Sequence, residues 1–123
     1  MMKKYINQIT YRESGTGKGQ TFTWTKVTRE LRLEDEEGNM SQDVHLLSEH
    51  EQIELEQLLL HVDLMHWQPE YTTEWLILDG TYWEISWTGS EGNGASQGSN
   101  AYPDGWELLR DWLYRQFEKE EFR

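Results

Sequence analysis

The sequence contains no cysteine, which removes several classes of chemistry at once. Disulfide frameworks, thiolate metal sites and cysteine nucleophiles are all excluded. The absence fits a reducing compartment, although secreted proteins can also lack cysteine. Long hydrophobic runs are missing too, since no stretch approaches the roughly 18 apolar residues that span a bilayer, and residues 1–13 lack a signal-peptide core. We therefore expect a soluble, cytoplasmic protein without a membrane partner.

Basic residues are absent from most of the chain. None of the 11 Lys and Arg residues lies between Leu33 and Leu109, an interval that holds 17 of the 23 Asp and Glu residues. This acidic interval has a formal charge of −17, and the flanks carry +5 from eleven basic and six acidic residues, which gives −12. Because nucleic-acid binding depends on Lys and Arg, we expect no direct contact with nucleic acid. The charge either keeps the protein soluble or attracts a basic protein.

Aromatic residues compensate for a hydrophobic content of only 36%. The chain has seven Trp, six Tyr and three Phe, and each buried aromatic side chain removes roughly 150 to 250 Å² from water. A length of 123 residues fits one domain, residues 1–123. We expect a single aromatic-rich core.

Short alternating segments in the first 47 residues predict β-strands. Residues 5–11 read as a first strand, with Tyr5, Asn7, Ile9 and Tyr11 on one face. Phe22 and Trp24 alternate with threonines in a second. The apolar residues then move from even-numbered to odd-numbered positions. This change predicts a bulge or tight turn at residues 26–28. Residues 36–39 predict a further hairpin.

Two capping-box patterns predict helices. Ser48 and Glu51 can exchange side-chain-to-backbone hydrogen bonds at the start of a helix over residues 48–66. Asp104 and Glu107 repeat the pattern ahead of a second helical stripe, which predicts a helix over residues 104–120. Together with the strands, the two helices predict an α+β fold, in which both pack on one face of a twisted, mainly antiparallel sheet of five to seven strands.

A third hairpin is predicted at residues 74–88, because Asp79-Gly80 between apolar runs is a strong turn signal. Trp83, Ile85 and Trp87 then face the helices. The opposite face is aromatic rather than polar, so either the N-terminal strands cover it or a partner does; it contains Trp75, Ile77, Tyr82, Glu84 and Ser86. Residues 88–99 include four glycines and no large apolar side chain, which predicts a mobile link.

The runs L-D-G-T-Y-W at residues 78–83 and G-S-N-A-Y-P at residues 98–103, followed by Trp106 and Leu109, form the most distinctive motifs. They resemble a family of small uncharacterised proteins from Gram-positive bacteria, in which a D-G-T-x-W strand and a G-S-N-A-Y-P segment lead into a C-terminal helix. The likeness covers about residues 75–117. It implies an α+β domain and assigns no activity. The link before G-S-N is longer and richer in glycine here, which weakens the case for residues 95–99 as an extra edge strand.

The candidate residues for catalysis or metal binding form weak patterns. His61, Asp63 and His66 are metal-ligand types, but on a continuous helix the two imidazoles point apart by about 140° and converge only if the helix ends between them. Residues 89–98 lack the basic residue of a phosphate-binding loop. Glu84 among aromatic neighbours is the one carboxylate of interest. We therefore predict no metal, no cofactor and no catalytic residue.

These observations favour a non-enzymatic acidic protein that engages a basic protein, as bacterial immunity proteins and phage-encoded inhibitors do. An alternative is a small-ligand module in which aromatic rings stack on a sugar or nucleobase and the loop of residues 89–100 closes over it. An enzyme with a site made from Glu84, His61 or His66 ranks third. The sequence leaves the oligomeric state open. The residues expected to form the binding surface are Trp75, Tyr82, Glu84, Trp24, Asn100 and Tyr102.

Overall fold

The computed structural model describes residues 4–15, 18–35, 42–72 and 82–118 of the protein. Within them the fold is α+β, as predicted, with one seven-stranded sheet and two α-helices. The elements are β1 (Ile6–Gly15), β2 (Lys18–Thr25), β3 (Glu30–Asp35), β4 (Gln42–Leu46), α1 (Glu49–His61), β5 (Glu70–Thr72), β6 (Tyr82–Gly89), β7 (Gly92–Ser99) and α2 (Trp106–Glu118).

The strand order in the sheet is β4-β3-β2-β1-β6-β7-β5. The first four strands form an antiparallel meander, and β6 pairs antiparallel with β1 on its other side. The three-residue strand β5 pairs parallel with β7 and is the exception in an otherwise antiparallel sheet. The N-terminal strands therefore lie beside β6 in the same sheet and do not form a layer over it.

Both helices pack on one face of the sheet, where alternate residues of the inner strands enter the core. Phe22, Trp24 and Leu31 are fully buried, and Trp83, Ile85 and Trp87 are buried as the alternation predicts. Polar contacts at the edge of the core hold the helices in place. The indole of Trp112 in α2 donates to Glu54 of α1 at 2.7 Å. The core is aromatic-rich, as the composition predicts.

The capping box at the start of α1 is confirmed. The Ser48 hydroxyl accepts from the Glu51 amide at 3.1 Å, and the Glu51 carboxylate accepts from the Ser48 amide at 2.9 Å. The predicted end at residue 66 is wrong, because α1 ends at His61. Asp63 then adopts a left-handed conformation with φ 58°, and a short 3-10 turn covers Leu64–His66.

The second helix begins at Trp106, two residues later than predicted. The carbonyl of Gly105 accepts the first helical hydrogen bond, from the Leu109 amide at 3.1 Å. Gly105 therefore stands at the cap position that the sequence pattern assigns to Asp104. Its φ of 88° favours glycine.

The change of parity after Trp24 is explained by a four-residue turn at residues 26–29, as predicted. The first strand departs from its prediction, because an irregularity between Ile6 and Gln8 in the pairing with β6 breaks the alternation. Ile6 is buried and Tyr5 is exposed as a result. The turns predicted at residues 36–39 and 79–80 lie outside the described residues.

The glycine-rich segment at residues 88–99 is not a mobile link. Its C-terminal part is β7, which is paired along its full length with β6 and at one end with β5. The register places Gly94 opposite Trp87 and Gly98 opposite Trp83. A side chain at either position would collide with the facing indole, at 2.3 Å for Gly94 and 2.6 Å for Gly98. The glycines therefore provide space for two tryptophan rings.

Within the described ranges, neither helix has the length and apolar character needed to cross a membrane.

Candidate functional site

A cleft of about 630 Å³ lies between the end of α1 and the start of α2. We call it the helix-end cleft. Its volume falls within the range of about 300 to 1,000 Å³ that is usual for ligand sites. Two chain segments line it, residues 61–71 and residues 102–108; the lining residues are His61, Val62, Asp63, His66, Trp67, Tyr71, Tyr102, Pro103, Asp104, Gly105 and Leu108.

The first wall follows from the early end of α1. The Trp67 indole donates to the Val62 carbonyl at 2.8 Å, which folds the chain back over the last turn. The hydroxyl of Tyr71 accepts from the Gln68 amide at 2.9 Å, and its ring lies 5.9 Å from the ring of Trp83. Trp67 and Tyr71 thus pack against the core at the edge of the cleft; Trp67 is only 8% exposed, and Tyr71 is half-buried.

The second wall begins where β7 ends. Asn100 has a left-handed φ of 57°, which turns the chain away from the sheet. The next residue, Ala101, accepts a hydrogen bond from the Trp83 indole at 2.9 Å. The Tyr102 ring then stacks on that of Trp106 at 4.1 Å and remains 42% exposed. Of the predicted binding residues, Tyr102 therefore lines the cleft, and Asn100 positions the segment that contains it.

The polar groups of the cleft are two carboxylates and two imidazoles. Asp63, Asp104, His61 and His66 all lie exposed, and the His66 Nδ1 atom is 2.6 Å from the Asp63 Oδ1 atom. Because α1 ends at His61, the condition for convergence of the two histidines is met. Even so, the described residues contain no group of three ligand-type side chains that could hold a metal ion.

Tyr82 and Glu84 lie on the other face of the sheet, away from the helix-end cleft. The Tyr82 hydroxyl donates to Gln97 at 3.1 Å, and Arg12 contacts the Glu84 carboxylate at 3.3 Å. Neighbouring Ser86 and Gln97 are exposed. A second cavity of about 380 Å³ includes Glu84 and Arg12.

The third sequence hypothesis, an enzyme, needs Glu84 together with His61 or His66. The structure separates them, because Glu84 lines the cavity on the sheet face opposite the helices and both histidines line the helix-end cleft.

The prediction that Trp24 forms part of an exposed binding surface is wrong. Its side chain is 0% exposed, and its indole donates to the Gln52 side chain of α1 at 3.1 Å. Trp24 faces the helices because it alternates in phase with Phe22. Trp75 lies outside the described residues.

A carboxylate network that sequence reasoning missed joins α2 to β1. Glu13 accepts from Arg110 through both carboxylate oxygens, with an Nε to Oε1 distance of 2.9 Å. Two tyrosine hydroxyls also donate to it, Tyr11 at 2.7 Å and Tyr114 at 2.9 Å. Residues 13 and 110 are too distant in sequence for any local pattern to indicate their pairing.

Burial and the neighbouring Glu13 carboxylate shift the pKa values of the other three members of this network. Burial, followed by the charge and hydrogen bond of Glu13, raises the pKa of Tyr11 well above its ordinary value of about 10, and the same causes raise the pKa of Tyr114. Burial alone would lower the pKa of Arg110, but the hydrogen bonds and charge of Glu13 outweigh it and raise that pKa.

The raised tyrosine pKa values predict a loss of stability in alkali. Below about pH 10 the hydroxyls are neutral in both the folded and the unfolded chain. Above it the unfolded chain loses protons that the folded chain keeps, so the free energy of unfolding should fall by up to about 1.4 kcal/mol per pH unit from Tyr11 alone. Urea denaturation between about pH 8 and pH 11.5 measures this slope.

Tyr11→Phe should reduce the alkaline slope, whereas Tyr5→Phe, which alters an exposed ring, should leave it unchanged. Equal slopes in the wild-type protein and Tyr11→Phe would contradict the assignment.

No protein-family model matches the chain, and no curated protein matches its sequence significantly. The resemblance described above stays a prediction.

Proposed function

We propose that the protein is a non-enzymatic acidic binding protein that engages a basic protein partner, in the manner of immunity proteins or phage-encoded inhibitors. The charge distribution of the folded chain is the observation that supports this proposal. Exposed carboxylates of the acidic interval occur on several elements, among them Asp43 in β4, Glu49 in α1, Glu70 in β5 and Glu107 in α2. Excess negative potential of this kind speeds association with a positively charged protein.

Several basic residues of the flanks lie close to carboxylates of the same chain. Lys4 lies 3.6 Å from Glu91, and Lys26 lies 3.9 Å from Glu56. Arg110 is held by Glu13. These intramolecular contacts hold flank cations beside carboxylates of the same chain. The molecule as a whole still carries a net charge of −12. A partner with a positive surface complements such a molecule.

The small-ligand alternative loses its closing loop. The sequence hypothesis places a mobile lid at residues 89–100, but residues 92–99 of that segment form β7, a strand with partners on both sides. A partner protein needs no lid.

The proposal predicts salt-sensitive capture of a basic protein. Immobilised protein is exposed to bacterial lysate at about 0.01 M and about 1 M salt, between which the Debye length falls from about 30 to about 3 Å. We expect a partner of high isoelectric point to be retained at low salt and released at high salt. The proposal is contradicted if no protein is retained, or if the amount retained is the same at low and high salt.

A pair of charge-matched variants separates specific from general attraction. Glu70→Gln/Glu107→Gln removes two exposed carboxylates from the acidic interval, and Asp111→Asn/Glu118→Gln removes two from the C-terminal flank. Both double variants change the net charge by the same amount. We expect the first to release the partner at lower salt than the second does.

A further inference from the structure

The helix-end cleft combines three features that suit one kind of chemical group. Accessible aromatic surface comes from exposed Tyr102 and half-buried Tyr71, beside the buried ring of Trp67, and negative charge comes from Asp63 and Asp104. No lysine or arginine occurs among the residues that line the cleft. Positive charge near the face of an aromatic ring is attracted by the ring quadrupole, and carboxylates add to the attraction.

The cleft also has an apolar surface at its outer side. Leu108 is 54% exposed and Tyr102 is 42% exposed, although both are large hydrophobic residues. Lysine and arginine have a long aliphatic stem that covers apolar surface while the charged head reaches polar groups. Leu108 and Tyr102 can contact such a stem. The Asp104 carboxylate, and the second oxygen of Asp63 beside the one that contacts His66 at 2.6 Å, can contact its head.

Anionic ligands fit the same cleft poorly. With histidines neutral, Asp63 and Asp104 give its lining a formal charge of −2. A phosphate or carboxylate ligand would meet repulsion without a compensating cation.

We propose that the helix-end cleft binds a lysine or arginine side chain of the basic protein partner. This inference rests on the proposed function and assigns its central contact to one place on the surface. The rigid anchoring of Trp67 to Val62 and of Tyr71 to Gln68 keeps the aromatic surfaces formed before binding. A preformed site loses less conformational entropy when it binds than a site that must first become ordered.

The test uses two small probes that share the same four-carbon stem, of which only one ends in an ammonium group. Nα-acetyl-lysine methylamide and its neutral counterpart Nα-acetyl-norleucine methylamide are titrated into the isotope-labelled full chain. The indole N–H signal of Trp67 reports on the cleft, and that of Trp24, buried beneath α1, serves as an internal reference. We expect the lysine probe to shift the Trp67 signal and the norleucine probe to leave it unmoved.

Charge-removing variants identify the carboxylates involved. Asp63→Asn keeps a residue type that tolerates the left-handed conformation at position 63. The double variant Asp63→Asn/Asp104→Asn should bind the lysine probe about tenfold more weakly. The control Asp43→Asn removes one exposed carboxylate at the β4 edge of the sheet, as Asp63→Asn alone does in the cleft, and should bind as the wild-type protein does.

The outcomes separate this inference from the proposed function. If the wild-type protein and the double variant capture a basic partner equally well, the cleft assignment is overturned and the proposed function stands. Equal shifts with both probes would also overturn it, since the cleft would then select apolar groups. If no basic protein is captured at low salt, the proposed function fails whatever the Trp67 signal shows.

Discussion

Replacement of Trp83 by alanine should lower the free energy of unfolding by about 3 to 5 kcal/mol. The side chain is fully buried, and its ring lies near those of Trp67, Tyr71 and Trp106 at centroid distances of 6.0, 5.9 and 6.3 Å. Its removal leaves a large cavity and also deprives the Ala101 carbonyl of its hydrogen-bond donor. Guanidinium denaturation followed by far-UV circular dichroism measures the loss.

The adjacent residue provides a control for the Trp83 variant. Tyr82 lies on the opposite face of the same strand and is half-buried. Tyr82→Ala removes a large aromatic ring without opening the core, so its cost should be well below that of Trp83→Ala. Similar losses in the two variants would show that Trp83 is not the centre of the core. A loss below about 1 kcal/mol for Trp83→Ala would show the same.

Replacement of Gly98 by alanine should destabilise the protein by about 2 to 3 kcal/mol, although alanine usually favours folding over glycine. An added Cβ atom would lie 2.6 Å from the Ala101 carbonyl oxygen and 2.6 Å from the Trp83 Nε1 atom. These two atoms are the partners in one hydrogen bond. The methyl group must therefore displace either the backbone at residue 101 or the indole.

Thermal unfolding and the fluorescence of buried tryptophan both report on the Gly98 variant. Ser99→Ala is the control, because Ser99 is the next residue and is exposed; its cost should stay within about 0.5 kcal/mol. A Gly98→Ala protein as stable as the wild type would mean that the indole of Trp83 can move aside at little cost.

Local patterns were sufficient where neighbours in sequence decide the structure. The capping box at Ser48 depends on residues only three positions apart, and it is present. The alternation of Trp83, Ile85 and Trp87 toward the core follows from the period of two in a β-strand. The turn after Thr25 was visible as a change in parity. These elements establish the α+β class before any tertiary contact is known.

Tertiary contacts determine the features that local sequence patterns do not predict, namely the strand β7 and the burial of Trp24. Residues 92–99 have low strand propensity, and they form β7 because the indoles of Trp83 and Trp87 lie across its glycines. The same indoles explain why glycine recurs there. The alternation with Phe22 places both rings on one face of β2, but only the packing of α1, whose Gln52 accepts from the Trp24 indole, shows that this face is buried.

The helix-end cleft was also beyond local reasoning. Its two walls come from residues 61–71 and 102–108, and the parallel pairing of β5 with β7 brings the first segment beside the chain that leads into the second. Tyr102 is among the predicted binding residues, whereas Trp67 is not, and Asp63 is considered only as a metal ligand. The early end of α1 and the left-handed conformation of Asp63, which shape the first wall, leave no clear local pattern.

The central position of β1 affects how the chain is made. Its second neighbour, β6, begins 67 residues after β1 ends, and ribosomes add about 5 to 20 residues per second. For about 3 to 13 seconds of synthesis, the backbone N–H and C=O groups on that side of β1 therefore lack the strand with which they form hydrogen bonds. An unpaired strand edge of this kind can recruit other nascent chains.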